Sequence, residues 1–171
     1  VMINRLNLGY GLQWVSHAGR FDCGHHRADL IIGCVDTKAS RRSIRDFVRA
    51  RNSCYWLDFG NSSGDGQVLL GYRDRQSDCC LPLPSDLFPE LTEGPEDMTV
   101  PTCSVRASIS RQGLFLNQMV ATWGLELLFK LFTKGKLDWH GVFINTESGS
   151  ATKLKVDPVA WSRLGYRQET P

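Results

Sequence analysis

Residues 28–42 read ADLIIGCVDTKASRR, and this stretch decides the fold. Leu30, Ile31 and Ile32 form an apolar run closed by Gly33, Cys34 and Val35. A short run of this kind predicts a strand buried on both faces, as in a parallel sheet with helices above and below. Asp36 then falls at the carboxyl end of that strand, where open α/β sheets place ligand-binding residues. From Lys38 to Asn52, Ile44, Phe47 and Val48 recur at helical spacing, with Arg41, Arg42, Arg45, Arg49 and Arg51 on the other faces. A helix therefore follows, capped by Asp36 or Thr37. A carboxylate at the sheet's edge with arginines one helical turn later suits a magnesium-bound phosphate. The same spacing is equally explained if Asp36 only caps the helix.

The totals narrow the function classes. A chain of 171 residues is long enough for one domain with a sizeable core and too short for two. A net charge of +2 gives no compositional argument for nucleic acid or an anionic membrane surface. The arginine-rich helix is the one local excess, and a solvated helix face explains it better than a phosphodiester-binding patch. No apolar run approaches the roughly 18 residues of a membrane span, and no signal peptide is visible, so a soluble, cytoplasmic protein is expected. Six cysteines are present. Cys34 within the first strand and Cys54 at the start of another read as small core residues, and free thiols are expected.

Along the chain, Ile3, Leu6, Tyr10 and Trp14 give a helical pattern that begins at once, which suggests a cut or an alternative start within a longer frame. His17 to Arg27 is a polar linker whose Cys23, His25 and His26 have poor metal-ligand spacing, so a surface loop is favoured. Cys54 to Phe59 and Gln67 to Gly71 read as a hairpin about the turn Gly60 to Gly66. Residues 73–102 form a long loop, of the kind that serves as a lid or binding segment or is disordered. From Ser110 or Gln112 to Phe132 a helix is predicted that is buried on most sides. Gly141 to Thr146 and Thr152 to Val156 read as two further strands, ended by Asp157-Pro158.

The succession of CVDTKASRR (34–42), GNSSGDGQV (60–68), PTCS (101–104) and LFLNQMVATWG (114–124) resembles the carboxyl-terminal two thirds of the ThiF/MoeB family. These are the adenylating enzymes that activate ubiquitin and its bacterial sulfur-carrier relatives, and within them the chain is most similar to the ThiF-family proteins of the PRTRC plasmid-associated system. The resemblance runs from about Ile3 to Trp161. It implies a single domain, 1–171, with a three-layer Rossmann-like α/β sheet in which a parallel core, its first strand central, is continued by antiparallel strands and the first βαβ portion is missing.

By the same resemblance, Asp36 helps place magnesium and the ATP phosphates, Arg41 matches the family's arginine, and Cys103 occupies the position of the cysteine that takes up the acyl group as a thioester. Cys103 as a structural or merely exposed thiol remains the competing reading. Cys79-Cys80 stands near a family zinc site, but adjacent cysteines are awkward joint ligands and no second CxxC pair follows, so no zinc is expected. The implied partner is a small ubiquitin-like or sulfur-carrier protein with a flexible glycine-ended tail. A homodimer is expected, with no nucleic acid and no membrane.

The glycine-rich turn that receives the phosphates in the family is not found before Asp36, and Gly9-Tyr10-Gly11 lies within or at the end of a helical pattern. The stretch as it stands is therefore expected to bind ATP weakly and to lack catalysis. Two rival readings stay open: a non-catalytic interaction or dimerisation module, and an unrelated nucleotide-binding α/β protein such as an oxidoreductase.

Overall fold

The computed structural model describes residues 2–21, 27–77, 81–95 and 115–167. Helix α1 (Met2–Tyr10) lies at the periphery with no buried residue. The rest is built on a five-stranded sheet in the order β1 (Leu30–Gly33), β2 (Ser53–Asn61), β3 (Asp65–Asp74), β4 (Trp139–Asn145) and β5 (Ser150–Lys155). The β1–β2 pair is parallel, with Gly33 opposite Asp58. The three remaining pairs are antiparallel. Parallel neighbours need a crossover element and antiparallel ones only a turn, and the sequence supplies both. Helix α2 (Lys38–Ala50) links β1 to β2, whereas Ser62 to Gly64 suffices between β2 and β3.

The sheet is thus mixed, parallel then antiparallel, with helices on both faces. On one face α2 buries Ile44, Phe47 and Val48 against Cys54 and Trp56. Phe47 and Val48 are fully enclosed, and burial of side chains this size contributes on the order of 2 kcal/mol each. Farther along the same face, the short helices α3 (Pro84–Leu87) and α5 (Pro158–Arg163) bring Leu87 and Trp161 onto Leu69 and Leu154. On the opposite face α4 (Leu116–Lys134) packs Leu116, Val120, Leu127 and Leu128 onto Leu57, Val68, Leu70, Val142 and Ile144. Alternation along β2 and β3 sends successive residues to the two layers, as the pleat requires.

Three expectations change. First, β1 is an edge strand and not the central one. Its Ile32 is 52% exposed because α4 packs over β2, β3 and β4 and stops short of β1. Cys34 lies beyond the strand's end and is exposed, while Cys54 is buried as expected; neither is in a disulfide.

Second, the long loop is partly structured. Residues 81–92 pair Leu81 with Tyr72, form α3 and a 3-10 turn (Pro89–Leu91), and bury Leu83 and Leu87. Three arginines of α2 hold that segment: Arg42 donates to the Thr92 carbonyl at 2.8 Å, Arg45 to Thr92 Oγ1 at 3.3 Å, and Arg49 pairs with Asp86 at 2.6 Å. The excess of positive charge on α2 is thus largely engaged within the fold.

Third, α4 is not buried on most sides. Its inward face is closed, but Phe115 just before it and Met119, Leu125, Phe129 and Phe132 along it are exposed. A helix lying on a sheet covers one side only, and among the described residues no further layer lies above the apolar residues on the other side.

The expected end of the last strand at Asp157-Pro158 holds, β5 stopping at Lys155, and Asp157 also begins a helix. It caps α5, its carboxylate accepting the Val159 N–H at 2.9 Å with Pro158 in the first turn.

Candidate functional site

The strand ends and the first turn of α2 enclose a cleft of about 510 Å³. Gly60 and Asn61 reach it from the end of β2, Asp65 and Gln67 from the start of β3, Phe143 and Asn145 from the end of β4, and Thr152 from β5. Arg41 enters from α2 and Leu91 from the clamped 81–92 segment. The lining mixes amide and hydroxyl side chains with the apolar Leu91, Phe143 and Ile144, and Asn145 Nδ2 donates to Asp65 at 2.7 Å.

Arg41 is fixed by its neighbours. Its Nε lies 3.2 and 3.1 Å from the two Asp58 carboxylate oxygens, and Nη2 donates to the Phe59 carbonyl at 3.2 Å. Nη1 makes no hydrogen bond among the described residues, and the side chain lines the cleft. Asp58 is completely buried. Its pKa is pushed up to about 6, because burial opposes the charge more strongly than Arg41 supports it. The Trp56 indole nitrogen, also buried and without a hydrogen-bond partner in good geometry among the described residues, lies beside the Asp58 carboxylate. The space beside Gly33 is tight: a methyl group there would lie 3.1 Å from Trp56 Nε1, 3.2 Å from Ile44 and 3.3 Å from Asp58, so these neighbours would have to shift by a few tenths of an ångström.

Asp36 follows β1 in the loop before α2 and is exposed. It does not line the cleft, and the capping role falls to Thr37, whose Oγ1 accepts the Ser40 N–H at 3.1 Å. Asp36 and Arg41 are therefore not brought together on one cavity. Cys103, with Arg106, lies outside the described residues, as do Cys79-Cys80 and the Cys23, His25 and His26 group.

The described residues supply part of what ATP and magnesium would need. Magnesium bound with phosphates asks the protein for one or two carboxylates, and Asp36 is one. Among the described residues no group of three His, Cys, Asp or Glu side chains could hold a metal. The β1–α2 junction, Cys34 to Thr37, contains no glycine and forms no phosphate cradle. Taken alone these residues do not fit the whole group.

Two functional-looking residues escaped the sequence reading. Asp58 was legible only as a member of the strand CYWLDF, although a carboxylate inside an apolar run opposite an arginine-bearing helix signals a buried pair. His140, within the run Trp139–Asn145, is also buried. Among the described residues no helix is long and apolar enough to cross a membrane. No protein-family model matches the chain, and no curated protein is significantly similar to it.

Proposed function

We propose that this chain is the carrier-facing part of a ThiF/MoeB-type activating protein, whose complete form adenylates the carboxyl terminus of a small ubiquitin-like or sulfur-carrier protein at the expense of ATP. The observation that carries the reading is the position of Arg41. The arginine of the CVDTKASRR motif lines a cleft at the carboxyl ends of β2 and β4, with one guanidinium nitrogen making no hydrogen bond among the described residues. An extended, side-chain-poor tail suits such a cleft. Its backbone amides would meet Asn61, Gln67 and Asn145, and its carboxylate would meet the arginine. ATP with magnesium, where bound, supplies the adenylyl group; this chain's own part is to hold and orient the acceptor carboxylate. Asp36, exposed in the loop before α2 and outside the cleft lining, is the residue proposed for the metal.

A direct test is ATP–pyrophosphate exchange with the full reading frame and a glycine-ended carrier. Exchange that is abolished in Asp36→Ala and reduced at least tenfold in Arg41→Ala supports the reading. Exchange insensitive to both, or no exchange with the cleft intact and the frame complete, rejects it.

The outer face of α4 favours the second reading, an interaction or dimerisation module. Met119, Leu125, Phe129 and Phe132 lie exposed on one helix, a concentration of apolar surface that marks association sites. Retention of that association in a chain inert toward ATP would select this reading.

A further inference from the structure

We propose that Asp58 is a positioning residue for Arg41: its buried carboxylate grips the guanidinium by Nε, and this grip holds Arg41 in place to receive an anionic group in the cleft. The proposal rests on the reading of the cleft as an anion-accepting site and deepens it. Three observations support it. The carboxylate is fully enclosed and so does not meet a ligand itself. Both its oxygens lie within 3.2 Å of Arg41 Nε, and Nη2 is tied to the Phe59 carbonyl, so the guanidinium plane is fixed at two points. The remaining nitrogen has no partner among the described residues, on a side chain that lines the cleft.

A buried ion pair is a weak device for stability, because desolvation offsets most of its attraction. Its use here is geometric. An arginine held in one orientation loses less freedom when it binds an anion than one that swings in solvent.

The grip should also depend on protonation. The groups facing Asp58 are Arg41 from α2, the Trp56 indole from β2 and the Cys34 thiol beyond β1, while β3 presents Leu69 opposite. Of these only Arg41 is charged near neutrality. Although the Cys34 residue is exposed overall, its thiol is pushed up by partial desolvation and by the Asp58 charge, and stays protonated near neutrality. Adding a proton to Asp58 removes the charge that anchors Nε and leaves the arginine looser.

Positioning and plain electrostatics predict opposite signs. Asp58→Asn deletes a negative charge beside the cleft, so electrostatics alone would make anions bind tighter. Loss of positioning would make them bind more weakly. The test uses sulfate, which stays dianionic between about pH 5 and pH 8, titrated into the isotope-labelled chain and followed by NMR.

In the wild type, sulfate affinity should fall several-fold from about pH 8 to about pH 5, and the Arg41 Nε–H signal should lose its protection from exchange over the same range. Asp58→Asn should bind about tenfold more weakly at about pH 8 and show no such pH dependence. Arg41→Lys, which keeps the charge and loses the fork, should behave as Asp58→Asn does and guards against a folding artefact in that variant. Equal or tighter sulfate binding by Asp58→Asn, with Arg41→Lys also unimpaired, overturns the positioning role while leaving the anion site standing. Absence of sulfate binding by the wild type, with the Nε–H protected, overturns the anion site itself and the proposal with it.

Discussion

Trp161 donates its indole N–H to His140 Nε2 at 2.8 Å, joining α5 to β4 through the core. Because an indole can only donate, Nε2 must be the unprotonated nitrogen. Nδ1 therefore carries the hydrogen and donates it to the Leu70 carbonyl at 2.8 Å. Both ring nitrogens are satisfied only in the neutral form, and burial lowers the His140 pKa from its ordinary value. The imidazole is a structural tie between β3, β4 and α5.

Breaking that tie should cost stability. Trp161→Phe keeps most of the packing but leaves Nε2 buried without a donor, and about 1–3 kcal/mol of loss is expected by urea unfolding. His140→Phe, which removes the polar ring while leaving the indole N–H unmet, should cost a similar amount. A loss below about 0.5 kcal/mol in both would show that the hydrogen bond is not maintained in solution.

The two buried titrating groups pull stability in opposite directions with pH. His140 has its folded pKa lowered, so its contribution is present above the unfolded value, near 6.5, and is lost as pH falls toward the folded one. Asp58 has its folded pKa raised from 3.8 to about 6, so its contribution is fully present below 3.8 and is lost as pH rises through about 6. Between these limits the slopes partly cancel. Asp58→Asn should remove one of them, and unfolding measured against pH should then fall more steeply with acid than in the wild type. The same slope in both proteins would rule out a raised Asp58.

At about pH 8 the sign for Asp58 alone is also defined. An uncharged amide in place of the buried carboxylate should raise stability, because burial opposes the charge more strongly than Arg41 supports it. A gain in stability accompanied by weaker anion binding would be the signature of a residue kept for function at a cost to the fold. Thermal unfolding at about pH 8 reads the first half of that statement.

Gly124 should not tolerate alanine. At an open helix position the change would add up to about 1 kcal/mol of stability. Here the new methyl would collide with the Phe59 ring, because α4 lies directly on β2 at this point. A destabilisation of about 1–3 kcal/mol is expected, read by chemical denaturation.

On the outer side of α4 the expectation is the reverse. Leu125→Gln combined with Phe129→Gln removes exposed apolar surface and touches no core residue, so stability should change by less than about 0.5 kcal/mol. Sedimentation should report weaker self-association than in the wild type. A loss of several kcal/mol would mean that the face is covered within the folded chain.

The local elements were written in the sequence. The run Leu30 to Ile32, the 3-4 spacing of Ile44, Phe47 and Val48, and the alternation either side of Gly60 to Gly66 fix strand, helix and hairpin through backbone preference and side-chain period, which are properties of neighbouring residues. The mixed α/β character followed from them. What sequence could not supply was the order of strands and the distances that the order creates. Leu30 to Gly33 looks the same in the middle of a sheet as at its edge, and only the packing of α4 over β2, β3 and β4 left Ile32 uncovered. Asp58 and Arg41 stand 17 residues apart and acquire meaning as a pair only when α2 packs onto β2. Periodicity reports which face a residue occupies, whereas partnership between distant residues is settled by the three-dimensional sum of every layer's packing.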